Sequence, residues 1–168
     1  MEHSDRFDSE WDRVLDATLG VRTSGTHTLA VDVHVLLRDD THLLLVHRAN
    51  TGSCDGMWTL PSGRLHSWEA LSQRASREVR EQLALYVPVQ DLEFAHVTHH
   101  RGSEDRIGFF FATSRWHGHP HNAEPDRHDA VSWFHLDDLP ENLLDYCATG
   151  IHHYRRGIPF SLHNWGSD

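Results

Sequence analysis

The chain is expected to fold as a single mixed α/β sandwich, and three observations lead there. At 168 residues, 38% of them apolar, it suits one domain with an ordinary core. Apolar periodicity then gives the order strand, strand, loop, helix, three strands, helix. That order lacks regular strand–helix alternation, so a mixed sheet packed between helices is favoured over a doubly wound parallel sheet. Finally, Leu71, Ala75, Val79 and Leu83 recur at every fourth position, the stripe of a helix with one core-facing side.

Residues 1–25 are polar, with Phe7, Trp11, Val14 and Leu15 spaced for one face of a short helix. They read as an N-terminal helical extension ended by Gly25, and the main domain as 26–168. The extension with Trp11 either caps its own domain or pairs with a second chain as a homodimer. Thr28 to Leu37 and Leu43 to Arg48 are expected strands joined by a turn at Arg38-Asp39-Asp40-Thr41. Ala49 to Met57 is a loop by its Gly, Asn, Ser and Asp content, and Trp58 to Pro61 a short extended piece. Ser67 can cap a helix from about Trp68 to Leu83. Leu92 to Thr98, Ile107 to Thr113 and Val131 to Leu136 read as strands, and Leu139 to Tyr154 as a helix entered after Pro140.

Composition excludes several functions. No run reaches the roughly 18 apolar residues of a membrane span. MEHSDRFDSEWDR has no basic stretch followed by an apolar one, so secretion is not expected. Cys54 and Cys147 form no CxxC pair and suit reduced thiols in the cytoplasm. Net charge is -10, and all 15 basic residues are arginine. Such a surface disfavours nucleic acid as a partner, so a polyphosphate substrate must be recruited by metal and a few arginines. Of the 17 histidines, those in the HGHPH run at 117–121 are either a Zn or Ni site or a solvated loop.

From Gly63 to Leu85 the chain reads GRLHSWEALSQRASREVREQLAL. Glu69 follows Gly63 by six residues, then come Arg77-Glu78, Val79 and Glu81. Residues three and four apart on a helix are neighbours, so Glu78, Glu81 and Gln82 share a polar face while Val79 and Leu83 turn inward. Local physics alone offers either an acidic patch for a hard cation or a solvated helix face.

The spacing resembles the signature box of the Nudix hydrolases, which cleave diphosphate linkages with divalent metal. The flanks extend the likeness to roughly residues 27–166, through Asp55-Gly56, Trp58 and Leu60-Pro61 upstream and NAEPD, WFHLDDLP and RRGIPFSLHNWG downstream. The resemblance implies a Nudix-type α/β/α sandwich and a nucleotide-directed, MutT-like pyrophosphohydrolase. It implies Mg²⁺ or Mn²⁺ and a small-molecule diphosphate as substrate. It also implies that Glu78 is the principal metal ligand and activates water, Glu81 a second ligand, and Ser62 a ligand through its carbonyl. Arg77 would pair with Glu69 to orient the carboxylates. Arg64 faces either a phosphate or solvent. A distal ligand would come from Glu124 or Asp126, with Asp129 behind them, or these form a polar turn. Asp145 lies where relatives place base-recognising groups, or is a helix-surface aspartate.

Four positions depart from the pattern. Gln82 stands for a usual metal-binding glutamate and brings an amide oxygen without charge. Ala84 stands for a glycine at the helix end, where a left-handed conformation costs alanine about 1 kcal/mol. Ser62 and Trp68 replace two further glycines. Hydrolysis of a small nucleoside-diphosphate-linked substrate is the main expectation. The alternative is a Nudix-fold protein with lost or redirected chemistry, a nucleotide sensor or a non-hydrolytic biosynthetic enzyme.

Overall fold

The structure is a computed structural model that describes residues 28–166. The expected N-terminal helix and the first residues of the main domain lie outside the described residues. Its strands are β1 (Ala30–Asp39), β2 (His42–Arg48), β3 (Trp58–Thr59), β4 (Ser62–Arg64), β5 (Glu93–His100), β6 (Arg106–Thr113), β7 (His128–His135) and β8 (Phe160–His163). Among the described residues the two α-helices are α1 (Leu71–Leu83) and α2 (Asp145–Arg155). The eight strands form one mixed sheet in the order β3-β2-β1-β6-β5-β8, with β4 also pairing β1 and β7 pairing β2. The α/β sandwich with a mixed sheet between helices is thus as expected.

Strand β1 organises the molecule. It pairs in parallel with β6 from Ala30↔Arg106 to Leu37↔Thr113 and antiparallel with β4 at Asp32↔Arg64 and His34↔Ser62. Its side chains alternate between two layers. Val33, Val35 and Leu37 pack with Ala75, Val79 and Leu83 of α1, all fully buried. Leu36 packs with Phe110 and with Cys147 and Ile151 of α2. Each such aliphatic side chain contributes about 1.5–3 kcal/mol by leaving water. A charge at Val79 would detach α1, and with it the box residues.

Several boundaries differ from expectation, each for a local reason. Helix α1 starts at Leu71, not Trp68, because Trp68 adopts φ 65° and cannot continue a right-handed helix. Its first turn is satisfied by the Gln73 side chain, which accepts the Ala70 N–H at 3.1 Å, and Ser67 is not the cap. The far end behaves as foreseen: Ala84 takes φ 55°, ψ 29°, and its N–H reaches the Arg80 carbonyl. Helix α2 starts at Asp145 instead of after Pro140. Residues 142–144 bond across to β3 instead, with Trp58 N–H donating to Asn142 O and Leu144 N–H to Trp58 O. Strands β4 and β8 were not foreseen, and β4 carries the start of the box.

Candidate functional site

Arg77 braces the loop that leads into α1. Its Nε donates to Glu69 Oε1 at 2.7 Å and its Nη2 to Glu69 Oε2 at 2.9 Å. Nη1 donates to both oxygens of Glu81, at 2.9 and 3.1 Å. A planar guanidinium can serve two carboxylates in this forked way. The hydrogen bond from Arg77 holds the Glu69 carboxyl below the usual range.

Glu78 points from α1 towards β4 and is only 4% exposed. Burial pushes its carboxyl up to about 7, against the pull of Arg74, and the nearby charges of Glu81 and Glu124 push the same way as burial. Arg74, one turn earlier and also buried, sets its guanidinium against Glu78 Oε2 and lies 3.6 Å from Glu81 Oε2. Gly63 makes room for this pair. A Cβ there would come within 2.0 Å of Arg74 Nη2 and 2.2 Å of Glu78 Oε2.

Gln82, also 4% exposed, donates from Nε2 to Glu78 Oε1 at 2.6 Å and to the Ser62 carbonyl at 3.0 Å. Ser62 lies in the extended strand β4, so losing a glycine costs nothing in backbone conformation there. Glu124 approaches from the segment that bonds to the end of α1, where Ala123 N–H donates to the Gln82 carbonyl. Its own turn is set by Asn122, whose Oδ1 accepts the Glu124 N–H. Ser62, Glu78, Glu81, Gln82 and Glu124 therefore come together.

Four other expected residues sit apart from them. Arg64 is half exposed and donates to Glu104 Oε2 at 2.6 Å. Asp126 is exposed on the turn after Glu124, and Asp129 beyond it bonds His47 at 2.5 Å. Asp145 opens α2 largely in solvent, with Oδ2 3.3 Å from His163 Nε2.

The α2 side of the sheet carries a polar wall that sequence reasoning missed. Asp32 and His34 of β1, Arg106 of β6, His100 of β5, His163 of β8 and Tyr146 of α2 gather there. Arg106 Nη1 donates to Asp32 Oδ2 at 2.9 Å, and His34 stacks on Phe110 at 4.6 Å between ring centroids. The Tyr146 ring lies 5.0 Å from His34 and 5.2 Å from His100. Both His34 ring nitrogens and the Tyr146 hydroxyl are buried without a hydrogen-bond partner. Burial holds the His34 imidazole down to about 3, so it is neutral, and burial raises the Tyr146 hydroxyl well above its ordinary value. Gly108 leaves space for that hydroxyl, since a Cβ there would fall 1.5 Å from it. Only the β1 part of this wall was legible, in Val31-Asp32-Val33-His34-Val35, where polar residues fall on one face and valines on the other.

The family model of the NUDIX domain matches residues 26–152. The chain belongs to the Nudix family. A Caenorhabditis elegans protein named "Putative nudix hydrolase 1" is 32% identical over 108 residues, which cover 63% of this chain and 28% of that protein. The chain thus spans well under half the length of that relative. A MutT NUDIX hydrolase from Burkholderia pseudomallei superposes with TM-score 0.70 at 26% identity, covering 75% of this chain and 98% of that one. A MutT protein from Methanosarcina mazei Go1 superposes with TM-score 0.67 at 22% identity, covering 79% and 97%. The Nudix hydrolase architecture is therefore shared along the domain.

Nudix hydrolases use divalent metal, and the donor chemistry here suits a hard one. Gln82 Oε1 and Glu124 Oε2 are buried and make no hydrogen bond, and Glu78 Oε2 meets only the Arg74 guanidinium. Leaving such oxygens unsatisfied costs about 1–3 kcal/mol each, a cost that coordination would remove. Among the described residues no group of three His, Cys, Asp or Glu side chains is placed to hold an ion unaided, so carbonyl and amide oxygens are needed. The histidines of HGHPH form no such group either: His117 pairs its backbone with Tyr86, and His119 and His121 are exposed. Arg74 is the box residue that sequence reasoning passed over. An arginine in an amphipathic helix reads as solvated, and only the bare backbone of Gly63 reveals the space for it.

Proposed function

We propose that the chain hydrolyses the diphosphate linkage of a small nucleoside-diphosphate-linked substrate, a nucleoside triphosphate, nucleotide sugar or related metabolite, with Mg²⁺ or Mn²⁺. The observation that carries this reading is the cluster of oxygens on Glu78, Gln82 and Glu124 beside the Ser62 carbonyl, of which Gln82 Oε1 and Glu124 Oε2 are buried without a hydrogen-bond partner. A divalent ion there supplies charge for the non-bridging oxygens and lowers the pKa of water. Glu78, with its carboxyl near 7, holds or releases a proton close to neutrality, as a water-activating base must. Glu81 adds a ligand, and Arg77 with Glu69 fixes the helix against the loop.

The polar wall of His34, His100 and Tyr146 adjoins this site through the His34↔Ser62 pairing, and its unpartnered polar atoms are suited to the nucleoside part of the substrate. Arg64, Asp126 and Asp145, though apart from the Glu78 cluster, are proposed as substrate contacts, Arg64 to phosphate. The proposed location is the cytoplasm, in keeping with two free cysteines; no described helix is long and apolar enough to cross a membrane.

A second reading has its own support. The Gln82 amide already bridges Glu78 and Ser62, which favours lost or redirected chemistry, a nucleotide sensor or a non-hydrolytic enzyme. Phosphate and pyrophosphate release from a panel of nucleotides and nucleotide sugars with Mg²⁺ or Mn²⁺ separates the two. Turnover of any diphosphate supports hydrolysis. Folded protein that binds nucleotides without turning any over supports the second reading.

A further inference from the structure

We infer that Arg74 is an internal cation that holds the place of a divalent ion at Glu78, so that metal enters the site by displacing the guanidinium. The inference rests on the reading of Glu78 as a metal ligand and concerns what the ion must compete with.

Four observations carry it. The Arg74 guanidinium lies against Glu78 Oε2 and within 3.6 Å of Glu81 Oε2, two of the oxygens the ion would need. The pair is inside the protein, with side-chain exposures of 8% and 5%, so the attraction is poorly screened by solvent. The backbone is built around it, since any side chain at position 63 would collide with Arg74 Nη2 and Glu78 Oε2 together. Lastly, Arg74 Nε is buried without an acceptor. The guanidinium is thus held by Glu78 and Glu81 but incompletely satisfied, a fit that can be left.

Gln82 acts in the same sense, because its Nε2 donates to Glu78 Oε1 and the Ser62 carbonyl. One oxygen of Glu78 faces an arginine and the other an amide. The metal-free site is therefore closed by the chain's own positive and N–H groups. Metal binding becomes an exchange: the ion gains Glu78 Oε2 and the guanidinium turns to another partner, the substrate phosphates being the natural anion. Ion and guanidinium are then negatively coupled, and removal of one strengthens the other.

The test is Mn²⁺ binding to the full chain without substrate, followed by the paramagnetic signal of free Mn²⁺. Arg74→Met is expected to bind Mn²⁺ about tenfold more tightly than the parent, a coupling within the usual allosteric range. Arg80→Met, which removes an exposed charge from the same helix, is expected to leave affinity unchanged. Mn²⁺ bound equally by parent and Arg74→Met, or tightened as much by Arg80→Met, overturns the inference and leaves the metal reading standing. No Mn²⁺ bound by any of the three overturns the metal reading itself. Should Arg74→Met fail to fold, the parent protein decides alone. Titration with diamagnetic Mg²⁺ is expected to shift the Arg74 Nε–Hε resonance, assigned by its loss in Arg74→Lys. A resonance that stays in place while Mg²⁺ binds overturns the exchange.

Discussion

Gln82 and Glu78 are joined by a hydrogen bond of 2.6 Å from Nε2 to Oε1, and the same amide spans 3.0 Å to the Ser62 carbonyl. A single neutral side chain therefore ties helix α1 to strand β4 at the proposed metal site. The substitution is not a passive loss of charge, because the amide provides two donors that a carboxylate lacks.

Gln82→Glu should accordingly destabilise the metal-free protein by about 1–3 kcal/mol, through two lost donors and a second carboxylate beside Glu78. With Mg²⁺ the order should reverse, the variant gaining more in melting temperature than the parent and hydrolysing faster. Melting curves in chelator and in Mg²⁺ check this. Equal melting of the two proteins in chelator would mean the amide bridge contributes nothing.

Arg77→Lys should lower kcat roughly 10–100-fold, the usual consequence of losing a group that orients metal ligands. A lysine cannot reproduce the four contacts to Glu69 and Glu81. Steady-state kinetics at saturating metal would show it, with the fold verified by circular dichroism. Undiminished kcat would deny Arg77 its orienting part.

His34 should make stability depend on pH. Its folded value of about 3 lies below the unfolded value of 6.5, so the folded state binds fewer protons. The stabilisation from keeping it neutral is present above pH 6.5 and is lost progressively as pH falls towards 3. The loss between pH 6.5 and 5 is roughly 2 kcal/mol. Urea midpoints of the parent should fall over that interval more steeply than those of His34→Leu. Parallel curves would rule out burial of a neutral imidazole.

Tyr146→Phe removes a buried hydroxyl that has no hydrogen-bond partner. The free protein should be unchanged or stabilised by about 1 kcal/mol, while KM for the substrate rises if the wall reads the nucleoside. A destabilised variant would show that the hydroxyl has a partner in solution, and an unchanged KM would remove Tyr146 from the binding surface.

How far the sequence could be read follows from the range of the interactions involved. The stripe Ala75, Val79, Leu83 and the alternation along β1 are local, and both were legible. So was the left-handed Ala84, which the box spacing isolates. The start of α1 was not, because Trp68 takes a left-handed backbone conformation that its residue type disfavours. Strands β4 and β8 are three and four residues long and exist only by pairing with β1 and β5. The polar wall draws one or two residues from each of five elements, so no window of sequence contains it. Arg74 escaped notice because its burial depends on an absence, the missing Cβ of Gly63.

The parallel ladder between β1 and residues 106–113 has a consequence for how the site comes into being. Ser62 is positioned by β4, β4 by β1, and β1 by a strand far downstream, so the local pieces of the box cannot assemble their geometry in isolation. Contacts between parts so distant in the chain are slow to form, since loop closure must be completed before they stabilise anything. Helix α1 can flicker into shape early, but its carboxylates acquire their neighbours only when the whole topology has closed. Competence for chemistry in this protein is a property of the closed topology, since no single segment holds the geometry of the site.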